Sequence, residues 1–471
     1  MKNSISVRNP RTGQVDYTFD PPSNHDLSSM YRSGRNAQKV WTENGIDYRI
    51  DILQKWKKAY ESRSDELINA LATDTGRIHE TILEVETIPK SIDRWCDIAK
   101  ELFGNSEPKL SSIPFIAMEQ HTVPYSLVGV ISPWNVPNLL AHIDAIPALL
   151  AGSSVIIKPS EFTPRFVEPL QHIVESVHEL SDVLQYVQGD GNTGALLLDE
   201  VDLICFTGSV ATGKKVGQQA AKNFIPAFLE LGGKDAAIVL ESANLEKAAS
   251  AILWGSVVNA GQSCLSIERV YCMESVYNSF LSILTEKANA IQLAYPEMDS
   301  GQIGPIISPN QTEIIELHLE DAISKGAHVH RGGSIEHHGG GDWVRPTVLS
   351  QVNHSMRIMT EETFGPIVPI MSVSSHDEAI RYANDTEFGL SGAVFGEESV
   401  AKTIAEEMEA GAISINDAGL TSILYDGEKN AFKSSGLGGS RMGPASIQRF
   451  LRKKVLYTKT NLENDPWWFK V

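Results

Sequence analysis

Two short glycine-framed segments carry the residues best suited to chemistry. Asn259-Ala260-Gly261-Gln262-Ser263-Cys264 ends on a thiol, and Leu229-Glu230-Leu231-Gly232-Gly233-Lys234 sets a carboxylate in front of paired glycines. A thiolate attacks carbonyl carbons well, but a free thiol with a pKa of about 8.5 is scarcely ionised at neutral pH, so its surroundings must help. A carboxylate nearby can afterwards activate water against the adduct. Alone, Cys264 reads as one of four cysteines packed as a small apolar residue. Its company changes that reading.

Val130 to Asn138 is an apolar strand running into a proline-flanked turn with Asn135 at its tip. A side-chain amide held there donates to the oxyanion formed when sulfur adds to a carbonyl, a contact worth about 3 kcal/mol. The competing reading is an Asx turn, in which Asn135 bonds only its own backbone. Val155 to Glu161 reads as a buried strand whose end carries Lys158 and Glu161 into a loop, and strand ends are where open α/β sheets bind ligands.

With these residues the chain resembles the aldehyde dehydrogenase superfamily, the NAD(P)-dependent enzymes that oxidise aldehydes to carboxylic acids. Six blocks occur in the family's order: Pro133-Trp134-Asn135, Lys158-Pro159-Ser160-Glu161, Phe206-Thr207-Gly208-Ser209, Glu230-Leu231-Gly232-Gly233, Gly261-Gln262-Ser263-Cys264 and Glu361-Glu362-Thr363-Phe364-Gly365-Pro366. The resemblance implies that Cys264 is the nucleophile, Glu230 the base that activates water, and Asn135 with the Cys264 amide the oxyanion site. It places Ser132, Trp134, Lys158, Glu161, Gly208, Ser209, Leu231, Glu362 and Phe364 around the cofactor. Val136, Leu140, Ile143, Ser263 and Leu265 fall on the substrate side. A carboxylate at Glu161 accepts ribose hydroxyls and repels an added phosphate, so NAD is expected over NADP. The presence of Glu230 argues against a coenzyme A-acylating relative, because transfer to a thiol needs no such base.

The uncharged substrate-side positions favour an apolar aliphatic or aromatic aldehyde; His142 and Arg269, close by in sequence, weigh toward the alternative of a carboxylated semialdehyde. The segment from Glu428 to Gly439 departs from the Pro-Phe-Gly-Gly that the family often carries, and the preceding residues 420–425 are expected to help wall the pocket. A catalytically silent structural member is the non-enzymatic alternative. Retention of Cys264, Glu230, Asn135 and Lys158 together disfavours it.

Composition fits an intracellular enzyme. At 471 residues the chain exceeds one hydrophobic core, and 40 basic against 59 acidic side chains leave a formal charge of -19 that repels nucleic acid. The cysteines show neither metal nor disulfide-framework spacing, the amino terminus lacks a secretory apolar segment, and no run is long enough to span a membrane. A cytoplasmic location is expected.

The elements that must position the chemistry begin with amphipathic helices over residues 26–102, Ser64 being a candidate cap, then a strand pair over residues 114–126. From residue 129 strands and helices alternate, which means a parallel sheet with helices on both faces, and a second such unit starts near Asp235. The fold class is α/β: a Rossmann-like cofactor domain (1–112 and 127–229), a catalytic domain (230–445) and a small β oligomerisation arm with a carboxyl-terminal tail (113–126 and 446–471). The resemblance implies a homodimer or homotetramer paired through that arm.

Gly189-Asp190-Gly191-Asn192-Thr193-Gly194 matches a dinucleotide fingerprint but reads as a tight turn, since the next strand follows too soon for a full crossover. The loop from Gly208 nearly matches a P-loop, yet Lys215 stands where a hydroxyl must meet magnesium; it remains a strand-to-helix junction able to hold a pyrophosphate. His328, His330, His337 and His338 lack ligand spacing, so no metal is expected. The tail aromatics Trp467, Trp468 and Phe469 are expected to dock on protein, with membrane contact as the alternative.

Overall fold

The computed structural model describes residues 4–103, 109–113 and 115–460, so the Trp467–Trp468–Phe469 tail lies outside the described residues. Ser23 and Asp26 form a reciprocal capping box that starts the helix Asn24–Glu43, whose buried stripe is Leu27, Tyr31, Gly34, Gln38 and Trp41. Three more helices follow: Gly45–Ser62, Ser64–Thr75 and His79–Leu102. Ser64 is not the cap expected of it. It is the first helical residue, and Arg63 holds the cap position without a side-chain bond.

Six strands form the first sheet, in the order Gly436–Leu437, Ala227–Glu230, Leu203–Thr207, Leu127–Ile131, Ser154–Lys158, Leu184–Tyr186. All pairings are parallel except that of Gly436–Leu437, which joins from a segment expected to belong with the second sheet. The central strands are buried on both faces, which is why they read as unbroken apolar runs. From Leu127–Ile131 the chain moves outward to one side and then returns to Leu203–Thr207 on the other. The crevice at the carboxyl ends of these two neighbours is where such a sheet takes ligands.

The second sheet has seven strands, in the order His328–Arg331, Thr347–Ser350, Ile367–Val373, Ile267–Met273, Asp235–Val239, Ser391–Phe395, Ala412–Ile415. Its own apolar cluster is separate from the two that surround the first sheet. Only residues 231–234 separate the last parallel strand of the first sheet from Asp235–Val239 of the second. The segment carrying Glu230 therefore lies at the junction of the two cores.

The strand pair expected over residues 114–126 is not found among its described residues, 115–126. Ile116–Pro124 is one nine-residue strand, paired antiparallel with Leu451–Lys459 from Leu451↔Pro124 to Lys459↔Ile116 and with Lys109–Leu110 on its other edge. A pair needs a turn, and the extended backbone of this stretch runs without a break; its partners come from elsewhere in the chain. The glycine-rich fingerprint at 189–194 is a helix start: Asp190 caps Gly191–Leu198 by accepting from the Asn192 and Thr193 amides. Among the described residues no cluster of side chains suits a metal ion, and the histidines pair otherwise, His337 with Asp342 and His338 with Glu336. No helix among them is long and apolar enough to cross a membrane.

Candidate active site

Cys264 lies on a loop that enters through two non-glycine residues in left-handed conformation, Asn259 at φ 56° and Ala260 at φ 54°. For alanine this costs about 1 kcal/mol, and such strain collects where the surroundings over-determine the backbone. The surroundings here are explicit. Asn259 Nδ2 donates to the Gln262 carbonyl at 2.9 Å and the Asn135 carbonyl at 3.0 Å, while Gln262 Nε2 returns a bond to the Asn259 carbonyl at 3.0 Å. Gly261 at φ 70° runs so close to Gly365 that a Cβ would sit 2.2 Å from its carbonyl oxygen.

Asn135 does not form the local Asx turn. Its Nδ2 donates across the junction to the Gln262 carbonyl at 2.9 Å, which leaves the second hydrogen of the amide to point elsewhere. Its own carbonyl accepts from Arg77 Nη2 at 2.7 Å, and Arg77 faces the buried Glu84 at 3.6 Å. Glu84 in turn accepts from the Asn138 and Leu139 amides at 2.6 and 2.8 Å, capping the helix Pro137–Ala151 that starts just after Asn135. Burial raises the Glu84 carboxyl to about 7, against the opposing pull of Arg77. Neither Arg77 nor Glu84 carried any signal in the sequence.

The turn from Glu230 to Lys234 fits against the Cys264 loop only because it contains glycine. A Cβ on Gly233 would stand 2.3 Å from the Cys264 carbonyl oxygen, and one on Gly232 would stand 2.5 Å from the Glu362 carboxylate. Gly233→Ala is therefore expected to displace the thiol, lowering kcat about tenfold or more and stability by about 1–3 kcal/mol. Steady-state rates and a denaturant melt check this; unchanged kcat would contradict the contact.

The loop from Glu361 to Pro366 is held from beneath by a buried ion pair. Lys234 Nζ meets Glu268 at 2.7 Å, and the same carboxylate accepts the Thr363 and Phe364 amides, both at 2.7 Å. Glu362 turns inward to accept the Gly233 amide at 2.9 Å. Burial first, then the neighbouring Glu268, lifts its carboxyl to about 8. Phe364, at φ 52°, meets Trp134 edge-on with 5.5 Å between ring centroids.

These elements enclose a cleft of about 540 Å³ of empty space, lined by Trp134, Asn135, Leu140, Gly208, Ser209, Leu231, Cys264, Glu362 and Phe364, among others. Thr207 and Gln311 also face it, and sequence reasoning missed both. Glu230 ends its strand beside this cleft: its carbonyl accepts the Gly208 amide at 3.1 Å, and Arg441 and Lys429 are the cations its charge acts on. Lys158 is buried at a strand end, with its ammonium 3.4 Å from Glu161, and burial depresses its pKa.

Of the side chains expected around the substrate, Leu140 lines the cleft. Val136 stands at the start of the helix, and Ile143, one turn beyond Leu140 on nearly the same face, is buried in an apolar cluster of the first sheet and does not line the cleft. Ser263 and Leu265 flank the thiol, half-buried, joined by a bond from the Leu265 amide to Ser263 Oγ at 3.3 Å. His142 and Arg269 point away. His142 bonds the Tyr186 hydroxyl at 2.7 Å, with its pKa lowered to about 4 by burial, and Arg269 donates to the Lys234, Tyr382 and Ala383 carbonyls.

Burial pushes the Cys264 thiol up to about 12, and Glu362, Asp235 and Glu230 push the same way against Arg441. Among the described residues its amide makes no hydrogen bond, so an anionic atom beside the sulfur has that N–H to meet. A dinucleotide suits the cleft. Ser132 Oγ is buried with no partner, and Ser209 caps a 13-residue helix whose positive end faces the crevice.

A model of the group described as the aldehyde dehydrogenase family matches residues 1–456. Among solved structures, one assigned as the aldehyde dehydrogenase PutA of Anabaena variabilis is 57% identical, with TM-score 0.98, covering 99% of this chain and 100% of that one. Betaine aldehyde dehydrogenase of Staphylococcus aureus, in complex with NAD+, is 28% identical with TM-score 0.92, covering 99% and 94%. A curated relative, 4,4'-diapolycopene aldehyde oxidase of a Methylomonas species, is 32% identical over 99% of this chain and 88% of its own.

Proposed function

The chain belongs to the aldehyde dehydrogenase family, whose members oxidise aldehydes to carboxylic acids with NAD(P), and on that premise we propose how its own residues divide the work. Cys264 adds through sulfur to the aldehyde carbon. The oxyanion is met by the Cys264 amide and the second Nδ2 hydrogen of Asn135. A dinucleotide held by the cofactor residues would supply the two-electron acceptor for the hydride lost from the same carbon, so that Cys264 would be left carrying a thioester. Glu230 then takes a proton from water, which attacks the thioester and releases the acid. The observation that carries this reading is the convergence of Asn135 and Gly233 on the Cys264 loop.

Ser132, Trp134, Lys158, Glu161, Gly208, Ser209, Leu231, Glu362 and Phe364 are the residues that would hold the cofactor. Half-buried Glu161 beside Lys158 supports NAD over NADP, because the extra ribose 2′-phosphate of NADP would meet a carboxylate. We expect kcat/KM with NAD to exceed that with NADP, and Glu161→Gln to narrow the ratio about tenfold. A ratio that does not move would remove Glu161 from this role.

On the substrate side, Leu140 and the aromatic pair Trp134 and Phe364 support an apolar aliphatic or aromatic aldehyde, and His142 and Arg269 are engaged elsewhere. A panel spanning aliphatic, aromatic and acidic aldehydes, read by NADH absorbance, tests this. Highest kcat/KM on a carboxylated semialdehyde would reverse it, and no NADH with any member would favour a silent structural role. We assign residues 1–112 and 127–229 to the cofactor half, 230–445 to the nucleophile half, and the sheet of Ile116–Pro124 with Leu451–Lys459 to pairing in a homodimer or homotetramer. Four free cysteines support a cytoplasmic setting.

A further inference from the structure

Arg77 lies on the turn between the helices Ser64–Thr75 and His79–Leu102, just past Gly76, which closes the first of them at φ 70°. A Cβ on Gly76 would stand 2.4 Å from Pro305, the residue whose carbonyl accepts Gln262 Nε2 at 3.2 Å. From this turn three side chains at helical spacing, Arg77, Glu80 and Glu84, reach the seam between the two cores. Glu80 accepts the Asn259 amide at 3.1 Å, and Glu84 accepts the Asn138 and Leu139 amides at 2.6 and 2.8 Å. Arg77 Nη2 donates to the Asn135 carbonyl at 2.7 Å. One turn and the helix that follows it thus grip the Cys264 loop and the Asn135 turn together.

The guanidinium is more than the counter-charge of Glu84. One serving a carboxylate alone closes on it as a fork at about 2.8 Å. Arg77 Nη2 instead stands 3.6 Å from Glu84 Oε2 and spends its hydrogen bond on the Asn135 carbonyl. Glu84 Oε2 and Arg77 Nε are both buried with no hydrogen-bond partner among the described residues. Leaving such atoms unmet is costly, so the contact with Asn135 is kept in preference to a closer ion pair. The consequence falls on the Asn135 side chain. Arg77 Nη2 and Asn259 Nδ2 occupy the Asn135 carbonyl together, which fixes the peptide plane beyond its Cα. At the other end, Asn135 Nδ2 is held by the Gln262 carbonyl at 2.9 Å. A side-chain amide is planar, so with both ends held its second hydrogen keeps one direction.

We propose that Arg77 is a positioning residue of the reaction, holding the Asn135 main chain so that the second amide hydrogen stays aimed at the oxyanion formed on the aldehyde. This rests on Asn135 being the oxyanion donor, and the test separates the two. kcat/KM for an aldehyde that turns over is measured for Arg77→Met in the unmodified protein and in Asn135→Ala, with a thermal melt to show that each variant is folded. Arg77→Met is expected to lower kcat/KM about 10- to 100-fold where Asn135 is present and by less than about twofold where it is absent, because a misplaced donor forfeits much of what a deleted one does. A residue that only supports the fold would act alike in both backgrounds. Where the stranded Glu84 carboxylate keeps Arg77→Met from folding, Arg77→Met made together with Glu84→Gln, and referred to Glu84→Gln alone, takes its place. Losses of equal size in both backgrounds, or none in either, would overturn the proposal. An Asn135→Ala variant as active as the unmodified protein would instead overturn the oxyanion assignment, and this proposal with it.

Discussion

Cys264→Ala is expected to lower NADH production from every aldehyde by about 10⁴-fold or more, equivalent to about 5.5 kcal/mol of lost transition-state stabilisation. The size follows from the absence of a substitute. Cys96, Cys205 and Cys272 are buried, and burial raises all three thiols, Cys96 to about 11 and Cys272 to about 12. Loss of Asn135 alone would cost about 10²–10³-fold, since only one oxyanion donor goes. Cofactor affinity, read by fluorescence titration, should survive the change at Cys264. Retained turnover would show that the carbon is attacked by something else.

The titration of that thiol gives the prediction a pH axis. Its folded-state pKa is raised to about 12, mainly by burial, so the protonated form dominates through neutrality. Alkylation of the cofactor-free protein should therefore climb about tenfold per pH unit from about pH 7 upward, with no plateau below about pH 10. A plateau near neutrality would mean that burial, first of all, weighs less on this thiol than its position implies.

Glu230→Gln is expected to separate the two halves of the reaction. The first turnover should release NADH in an amount roughly equal to the enzyme, after which the steady rate falls about 10²–10⁴-fold because water is no longer activated. The acylated protein should then be visible in a quenched mass spectrum, heavier by the acyl group on the peptide that carries Cys264. Isosteric glutamine leaves the backbone pairing of this strand intact, since Gly436↔Glu230 and the Gly208 amide engage only main-chain atoms. A slow first turnover without a burst would assign Glu230 to the acylation step instead.

The candidate site was legible because reactive side chains sat in short blocks framed by glycine, and the glycines have a physical reason. Gly232, Gly233 and Gly261 are places where a Cβ would strike Glu362, Cys264 or Gly365. The α/β class was legible too, since strands buried on both faces leave unbroken apolar runs between helical spacings. What the folded chain alone decided is everything whose partner is remote. Ile116–Pro124 takes its long partner from residues 451–459, and no local pattern announces a pairing made across more than three hundred residues. Arg77 and Glu268 are ordinary residue types in unremarked segments, and Gln262 stood inside the block of Cys264 with no role of its own. Their meaning comes from the Asn135 carbonyl, the Thr363 and Phe364 amides and the Asn135 side-chain amide, each brought within reach only when two separate cores close on one seam. Periodicity and reactive residue type are local properties of a chain, whereas hydrogen-bond partnership and the electrostatic balance at a half-buried thiol are properties of distance in space.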